Sequence, residues 1–437
     1  MSAPARSRSA AAGGAAALPP EQAPLSTIQV PRRFVREEWG GTETTVLNCC
    51  RALLAAGNPT RIFTSMALAT SRRESIQGVE VRRFGYVYPY WGLDADARDA
   101  MDRKGGNLLS LPLLWSLLRE PGVALLHAHA GKRLGAAVRT AARLRGIPYV
   151  VTLHGGYFDI PQGQRQQLAE PYQGGIEWGK AAGALLGSRR VLEDAAAIIC
   201  VGQNEWRAAR EALPRSRVEW LPNGVDCAAF AAGDGDLFRR HFAIAPERRL
   251  VLCVSRIDSQ KNQLALVDSL PGLLQTQPQA HLVLIGPVTV ADYRRQLEQR
   301  IAERGLGGRV TLVPGLGADD PLLRSAYHAA DVFCLPSLHE PFGIVILEAW
   351  AAGLPVVAAR IGGIPSFTEH GADCLHIDPS DHGQLTAALA QVLADPALAR
   401  GLAEAGRAKA QRDYDWSIIG ARLLALYRDI VRHGKPA

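Results

Sequence analysis

Several things are missing from this chain, and each absence removes a class of protein. No stretch approaches the run of about 18 apolar residues that a membrane-spanning helix needs. None of the seven cysteines (Cys49, Cys50, Cys200, Cys227, Cys253, Cys334 and Cys374) forms a Cys-x-x-Cys pair. Their odd number and their places inside apolar runs read as buried free thiols in a reducing, cytoplasmic compartment. No block of Lys and Arg is interleaved with aromatics, so the net charge of +7 does not argue for nucleic acid. It fits anionic substrates, or weak attraction to an anionic membrane surface. No Gly-x-Gly-x-x-Gly follows the first strand candidate, which leaves a dinucleotide-dependent dehydrogenase unsupported. No internal repeat is visible.

What is present is an ordinary globular balance, 47% hydrophobic and 21% charged, over 437 residues. That length suggests two or three domains at roughly 100–200 residues each. Residues 1–24, rich in Ala, Ser, Gly and Pro, read as a disordered leader and are set aside. Short β-branched runs then alternate with helical stretches. Strands are expected at Leu25–Val30, Thr60–Ser65, Val79–Phe84, Val123–Ala128, Ile147–Leu153 and Ala197–Val201. A second set is expected at Leu250–Ser255, His281–Ile285, Arg309–Val313, Asp331–Leu335 and Pro355–Ala359. Helices are expected at Thr42–Ala56, Lys132–Arg145, Gln263–Leu274 and Ala291–Arg304. Apolar runs without clean alternation suit parallel strands covered on both faces, hence an α/β fold with doubly wound sheets. The turn formers at Pro222-Asn223-Gly224 and the loose stretch to about Asp236 mark a boundary between domains at 25–225 and 240–412. The segment 415–432 reads as a final amphipathic helix, with Trp416, Ile419, Leu423, Leu424 and Ile430 as candidate core contacts.

The segment Pro336-Ser-Leu-His-Glu340-Pro-Phe-Gly343-Ile-Val-Ile-Leu-Glu348-Ala349 carries the chemistry. Glu340 precedes a Pro-Phe-Gly turn, and Glu348 lies inside the helix that follows. A helix N-terminus near Gly343 offers free amides to a diphosphate, and carboxylates on either side can accept from sugar hydroxyls. A nucleotide-sugar has both parts. Upstream, the strand ending in Ser255-Arg256 is followed by Asp258, Lys261 and a helix, placing two cations where such sheets bind ligands.

With these residues, the chain resembles the retaining glycosyltransferases of family 4, with the GT-B fold: two Rossmann-like domains facing across a cleft. The resemblance runs from about Leu25 to the end and is strongest over Leu250–Ile377. It implies that the C-terminal domain binds the nucleotide-sugar, that the N-terminal domain presents the acceptor, and that the last helix crosses back. By matching positions, Glu340 would hold the transferred sugar and Glu348 the ribose hydroxyls. The amides of Phe342, Gly343 and Ile344 would meet sugar and phosphate, and Arg256 and Lys261 the diphosphate. Gly40 and Gly41, followed by Glu43, match a loop near the diphosphate and the acceptor. His154 matches a histidine that reaches the sugar. Two departures stand out: Gly57-Asn58-Pro59 where the family often has Gly-His-Glu-Val, and Gly286-Pro287 where many relatives have Gly-x-Gly-Pro.

Other patterns point elsewhere. His127-Ala-His129 puts two imidazoles on one strand face without a third ligand, and Asp94-Ala-Asp96 lies in an acidic loop or helix start, so no metal is expected. The insertion Pro31–Trp39 is either an acceptor-side element or a surface loop. The stretch Arg103–Arg119, with Lys104, Leu108, Leu111, Leu114, Trp115 and Leu118, reads as a core-facing helix, or as a membrane-facing one for a lipid-linked acceptor. The resulting expectation is a metal- and cofactor-independent hexosyltransferase. It would move sugar from a nucleotide-diphosphate donor to a glycan or lipid-linked acceptor in envelope polysaccharide or glycolipid synthesis, with peripheral attachment to the inner membrane face as an option. The alternatives are a GT-B sugar-nucleotide epimerase and a non-catalytic subunit that binds nucleotide-sugars or glycans.

Overall fold

The computed structural model describes residues 23–36, 39–158, 176–317 and 320–433, without the side chains of residues 104 and 176. Almost all of the expected leader, and Glu37-Glu38 of the Pro31–Trp39 insertion, lie outside the described residues.

The strands in chain order are β1 (Thr27–Val30), β2 (Thr60–Ser65), β3 (Arg73–Ile76), β4 (Val79–Phe84), β5 (Tyr90–Trp91), β6 (Leu125–Ala128), β7 (Tyr149–Leu153), β8 (Ile176–Glu177), β9 (Ala197–Cys200) and β10 (Val218–Trp220). They continue with β11 (Arg249–Val254), β12 (Ala280–Ile285), β13 (Val310–Val313), β14 (Val332–Leu335), β15 (Val356–Ala359) and β16 (Leu375–Ile377). They form an eight-stranded sheet in the order β10-β9-β7-β6-β1-β2-β4-β3 and a six-stranded sheet in the order β13-β12-β11-β14-β15-β16, beside the two-stranded β5-β8. Every pairing in the two large sheets is parallel except β3 with β4. The architecture is therefore α/β with two Rossmann-like sheets.

The expected strands are all present, with every end within two residues of expectation. The unexpected ones are short or lie at sheet edges, and they lack an apolar run: β3 reads Arg-Glu-Ser-Ile and is mostly exposed. The helix at Lys132 spans Lys132–Arg145 as expected, stopping at Gly146, whose φ is 63°. The stretch 103–119 is not one helix. A helix Ala95–Lys104 ends at Gly105, and a separate helix Leu111–Arg119 begins on the Ser110 side chain, which accepts from the Leu113 amide. That second helix buries Leu113 and Leu117 and leaves Leu111 and Trp115 exposed, with the Arg119 guanidinium 3.9 Å from the Trp115 ring centre. The expected loose stretch to Asp236 instead holds two short helices, Cys227–Phe230 and Gly235–His241, each begun by an Asp side chain.

The chain crosses between the sheets twice, and the two crossings are bonded together. Val225 donates to the Tyr414 carbonyl (2.8 Å), and Trp416 donates to the Val225 carbonyl (3.1 Å). A π-helical turn, Ala410–Tyr414, ends the preceding helix and delivers the chain to this point. The last helix, Trp416–His433, then packs on the first sheet and on the helix Gly41–Ala55. Its Trp416, Ile419, Leu423, Leu424 and Ile430 are all buried there, each contributing about 1.5–3 kcal/mol of apolar burial. The seven cysteines are free and buried. No helix among the described residues is long and apolar enough to cross a membrane.

Candidate active site

Strand order locates the site before any side chain is considered. In the second sheet the chain builds β11-β12-β13 to one side, then returns to add β14-β15-β16 on the other. Ligands of such sheets bind outside the strand ends at this reversal. The loop after β11 carries Arg256 and Lys261, and the loop after β14 carries Glu340. The first sheet reverses between β1 and β6, where Gly40-Gly41 and His129 follow.

On the C-terminal side the two loops are tied together. Leu338 donates to the Gln260 carbonyl (2.8 Å), and the Asn262 amide donates to the Pro336 carbonyl (3.2 Å). Asp258 accepts from the amides of Gln260 (3.0 Å) and Lys261 (3.2 Å), forming the turn that aims Lys261. The Lys261 ammonium lies 2.6 Å from the Glu340 carboxylate, and both side chains are largely buried. Arg256 is half-exposed and lies 3.1 Å from Asp258. Gly343 begins the helix Ile344–Ala351 with φ 99°, a conformation that favours glycine and leaves the first-turn amides facing outward. Phe342 contributes only its backbone there, because its ring is buried and stacked on Phe367 at 4.7 Å. Glu348 accepts from the Tyr327 hydroxyl at 2.6 Å. Burial pushes its carboxyl up to about 7, with the Tyr327 hydrogen bond opposing the shift. In the loop after β12, Gly286 lies so close to the Ser255 carbonyl that any Cβ would overlap it.

On the N-terminal side, Gly41 begins the helix Gly41–Ala55, and a Cβ placed on it would lie 3.4 Å from Ile344 Cδ1. The N-termini of these two helices are thus neighbours, and the dipole of each favours an anion beside it. Glu43 is buried, accepts from the Gly40 amide (3.1 Å) and lies 3.5 Å from Arg33; burial raises its carboxyl. The Pro31–Trp39 insertion is not a free surface loop: Phe34 and Val35 are buried, and Arg83 donates to the Phe34 carbonyl at 2.7 and 3.1 Å.

His154 directly follows β7, and its Nε2 lies 2.9 Å from His129 Nδ1. Burial holds His154 down at about 4 and His127 at about 3, so both are neutral at pH 7. The loop after His154 is fixed by Glu205, which accepts from the amides of Gly155 (3.0 Å) and Tyr157 (2.8 Å). Gly155 has φ 91° and packs directly on Pro341, where a Cβ would overlap the proline ring. A Cβ on Gly202 would lie 2.7 Å from the Pro341 carbonyl, and Asn204 donates across the cleft to Gly362 at 2.8 Å. The Glu340-Pro341 turn is therefore clasped by the first domain.

Of the expected site residues, Lys261 and Glu340 are paired and Gly41 lies beside Ile344, with Gly40, Phe342 and Gly343 next to them in the chain. Arg256 lies in the Lys261 loop, Glu348 in the helix that Gly343 begins, and His154 just before the Gly155 that packs on Pro341. Tyr327, Glu205, Gly155, Gly202 and the partners of His154 were not anticipated. His127 and His129 bond to other side chains, and Asp94 caps a helix by accepting from Ala97 at 2.7 Å. The described residues hold no group of three or more His, Cys, Asp or Glu side chains able to bind a metal ion.

Two Rossmann-like domains with a charged switch-point site facing paired glycines define the GT-B class. Residues 39–229 match the family described as Glycosyltransferase Family 4, and residues 234–409 match Glycosyl transferases group 1. The chain is 30% identical over 403 residues to a D-inositol 3-phosphate glycosyltransferase of Jonesia denitrificans, covering 89% of this chain and 91% of that one. It is 32% identical over 276 residues to a GDP-mannose-dependent alpha-(1-6)-phosphatidylinositol monomannoside mannosyltransferase of Mycolicibacterium smegmatis, covering 60% and 70% of the two chains. Among solved structures, it superimposes with TM-score 0.70 on a sucrose-phosphate synthase of Thermosynechococcus elongatus (22% identity, 93% of this chain and 99% of that one). An Anabaena protein in complex with UDP-glucose gives TM-score 0.68 (20% identity, 92% and 99%); identities this low speak to fold alone. The chain belongs to the group 1 glycosyltransferases. It is a glycosyltransferase of GT-B fold that uses a nucleotide-sugar.

Proposed function

We propose that the protein is a retaining, metal-independent hexosyltransferase that glycosylates a glycan or lipid-linked acceptor. The observation that carries this reading is the Lys261–Glu340 pair at the strand-order reversal, in a turn that Gly155 packs against and that leads into the helix start beside Gly41. The donor diphosphate lies between Arg256, Lys261 and the amides of Gly343 and Ile344. The ribose hydroxyls donate to Glu348, and the sugar meets Glu340 and His154. The acceptor hydroxyl attacks the anomeric carbon on the face from which the diphosphate leaves. The bond to the leaving oxygen breaks as the new glycosidic bond forms, and the acceptor proton passes to the leaving phosphate. No enzyme nucleophile or cofactor is needed, and catalysis consists of positioning and of stabilising charge on the leaving group.

The named relatives act on inositol 3-phosphate and on a phosphatidylinositol mannoside, so phosphorylated polyols and their lipids are the first acceptors to try. A site at the cytoplasmic membrane face goes with the lipid option; failure to float with anionic vesicles removes it. Calorimetry with UDP, GDP and ADP, each free and sugar-linked and without metal, tests the donor site. Tight binding of one nucleotide series supports the reading. No binding by any of them, with or without candidate acceptors, overturns it. The anomeric configuration of the product decides retention.

A further inference from the structure

His154 is the outermost member of a chain of buried polar side chains. Its Nε2 meets His129 Nδ1 at 2.9 Å, and His129 Nε2 meets the Gln29 carbonyl oxygen at 2.9 Å. The Gln29 amide nitrogen donates to the Tyr427 hydroxyl at 3.2 Å and, more weakly, to Thr27 at 3.5 Å. Tyr427 contacts His127 Nδ1, and His127 Nε2 meets the Thr152 hydroxyl at 2.6 Å. The members come from β1, β6, β7 and the C-terminal helix. Gln29, His127 and Tyr427 are fully buried.

Each neutral imidazole has one N–H and one lone pair, so the direction of any one bond fixes the next. Gln29 accepts with its carbonyl, so His129 carries its proton on Nε2 and offers a lone pair on Nδ1. His154 must then carry its proton on Nε2 and donate it. Onward, Gln29 donates to Tyr427, Tyr427 donates to His127 Nδ1, and His127 donates to Thr152. Reversing the Gln29 amide would reverse every bond and move the His154 proton to Nδ1. Thr27 opposes that reversal, because its hydroxyl donates to Thr60 at 2.9 Å and is left to accept from Gln29. Burial keeps all three histidines neutral, as the rule of one proton per ring requires. No described residue hydrogen-bonds to His154 Nδ1.

We propose that His129 and Gln29 are positioning residues that hold His154 in its Nε2–H tautomer, leaving the Nδ1 lone pair to accept a hydroxyl of the bound sugar. This rests on the reading of His154 as a sugar contact, but the tautomer itself can be observed without any activity. Long-range proton–nitrogen correlation spectra of the histidine-labelled full chain, with His154 assigned through His154→Asn, should show His154 protonated on Nε2. A spectrum with the proton on Nδ1 overturns the proposal whether or not the protein transfers sugar. In turnover, His129→Leu should lower kcat by about 10–100-fold, the range for losing a partner that orients a working imidazole, with a smaller change in donor KM. His129→Asn, whose Oδ1 stands where Nδ1 was and can accept from His154, should recover most of that loss. Equal damage from Leu and Asn in folded protein overturns the positioning role. If both variants fail to fold, the wild-type spectrum still decides.

Discussion

On the C-terminal wall of the cleft the expected site side chains are charged or titratable: Lys261 against Glu340, Arg256 against Asp258, and Glu348 with its carboxyl pushed up to about 7 by burial. On the N-terminal wall the Arg33–Glu43 pair stands behind the Gly40-Gly41 turn, and the side chains after β6 and β7 are histidines kept uncharged by burial. On the proposed function, the contrast follows from what each wall would do. A diphosphate brings negative charge whose growth on bond cleavage has to be met, and preorganised cations and helix N-termini meet it without reorganisation. A neutral polyol needs its hydroxyls oriented, and directional hydrogen bonds of fixed polarity do that at little electrostatic cost.

The largest expected loss comes from removing charge on the C-terminal wall. Arg256→Ala and Lys261→Ala should each lower kcat by roughly 10²–10³-fold, the scale for one key stabiliser. The two differ in stability. Removing half-exposed Arg256 should lower the thermal midpoint less, because buried Asp258 keeps the Gln260 and Lys261 amides, whereas losing Lys261 strands the Glu340 carboxylate at a cost of up to about 3–5 kcal/mol. Turnover and melting measured together separate the effects. Undiminished turnover in both variants would contradict charge stabilisation by this wall.

The next effect lies where the walls touch. Gly155→Ala forces alanine into a left-handed conformation and drives its methyl into Pro341. Displacing the Glu340 turn by even an ångström should cost on the order of 10²-fold in turnover. The double variant Gly155→Ala, Pro341→Gly isolates the contact through a double-mutant cycle. Partial recovery is expected if the clasp matters, and simple additivity would assign the loss to backbone strain at residue 155 alone.

These cases also show which parts of the molecule are legible in sequence. The C-terminal wall is local: Arg256 and Lys261 share one loop, Glu340 and Glu348 share one turn and helix, and their spacing alone suggests an anion site. The strands were legible for a similar reason, since parallel strands buried on both faces are apolar runs. The N-terminal wall is assembled from distant segments. Gln29 and Tyr427 are 398 residues apart in sequence. A lone Gln in Thr-Ile-Gln-Val was the only local sign that β1 carries a polar partner, and nothing local marked Tyr427. His127-x-His129 was conspicuous, but its meaning depended on which neighbours the fold supplied. Gly155 against Pro341 is likewise a product of domain docking, invisible to motif or period. The break at Gly105 inside 103–119 was available in the sequence, because Gly105-Gly106 and the Ser110 cap followed by Pro112 are ordinary stop and start signals.

The smallest expected effect is a dependence on pH confined to the C-terminal wall. Glu348 is held at about 7 by burial, against 4.5 for an ordinary glutamate. Between those values the folded protein binds the proton and the unfolded chain does not, so this group's contribution to stability falls as pH rises through the window. Donor binding should run the other way, because the ionised carboxylate accepts the ribose hydroxyls. Affinity for a nucleotide-sugar should therefore weaken about tenfold from pH 8 to pH 6, following the ionised fraction of one group at pKa 7. A sugar-linked diphosphate has no ionisation of its own in this range, so the sugar-linked donor is the right probe and the free diphosphate is not. Glu348→Gln should bind more weakly and lose the slope. A slope that survives in that variant would move the titrating group away from Glu348.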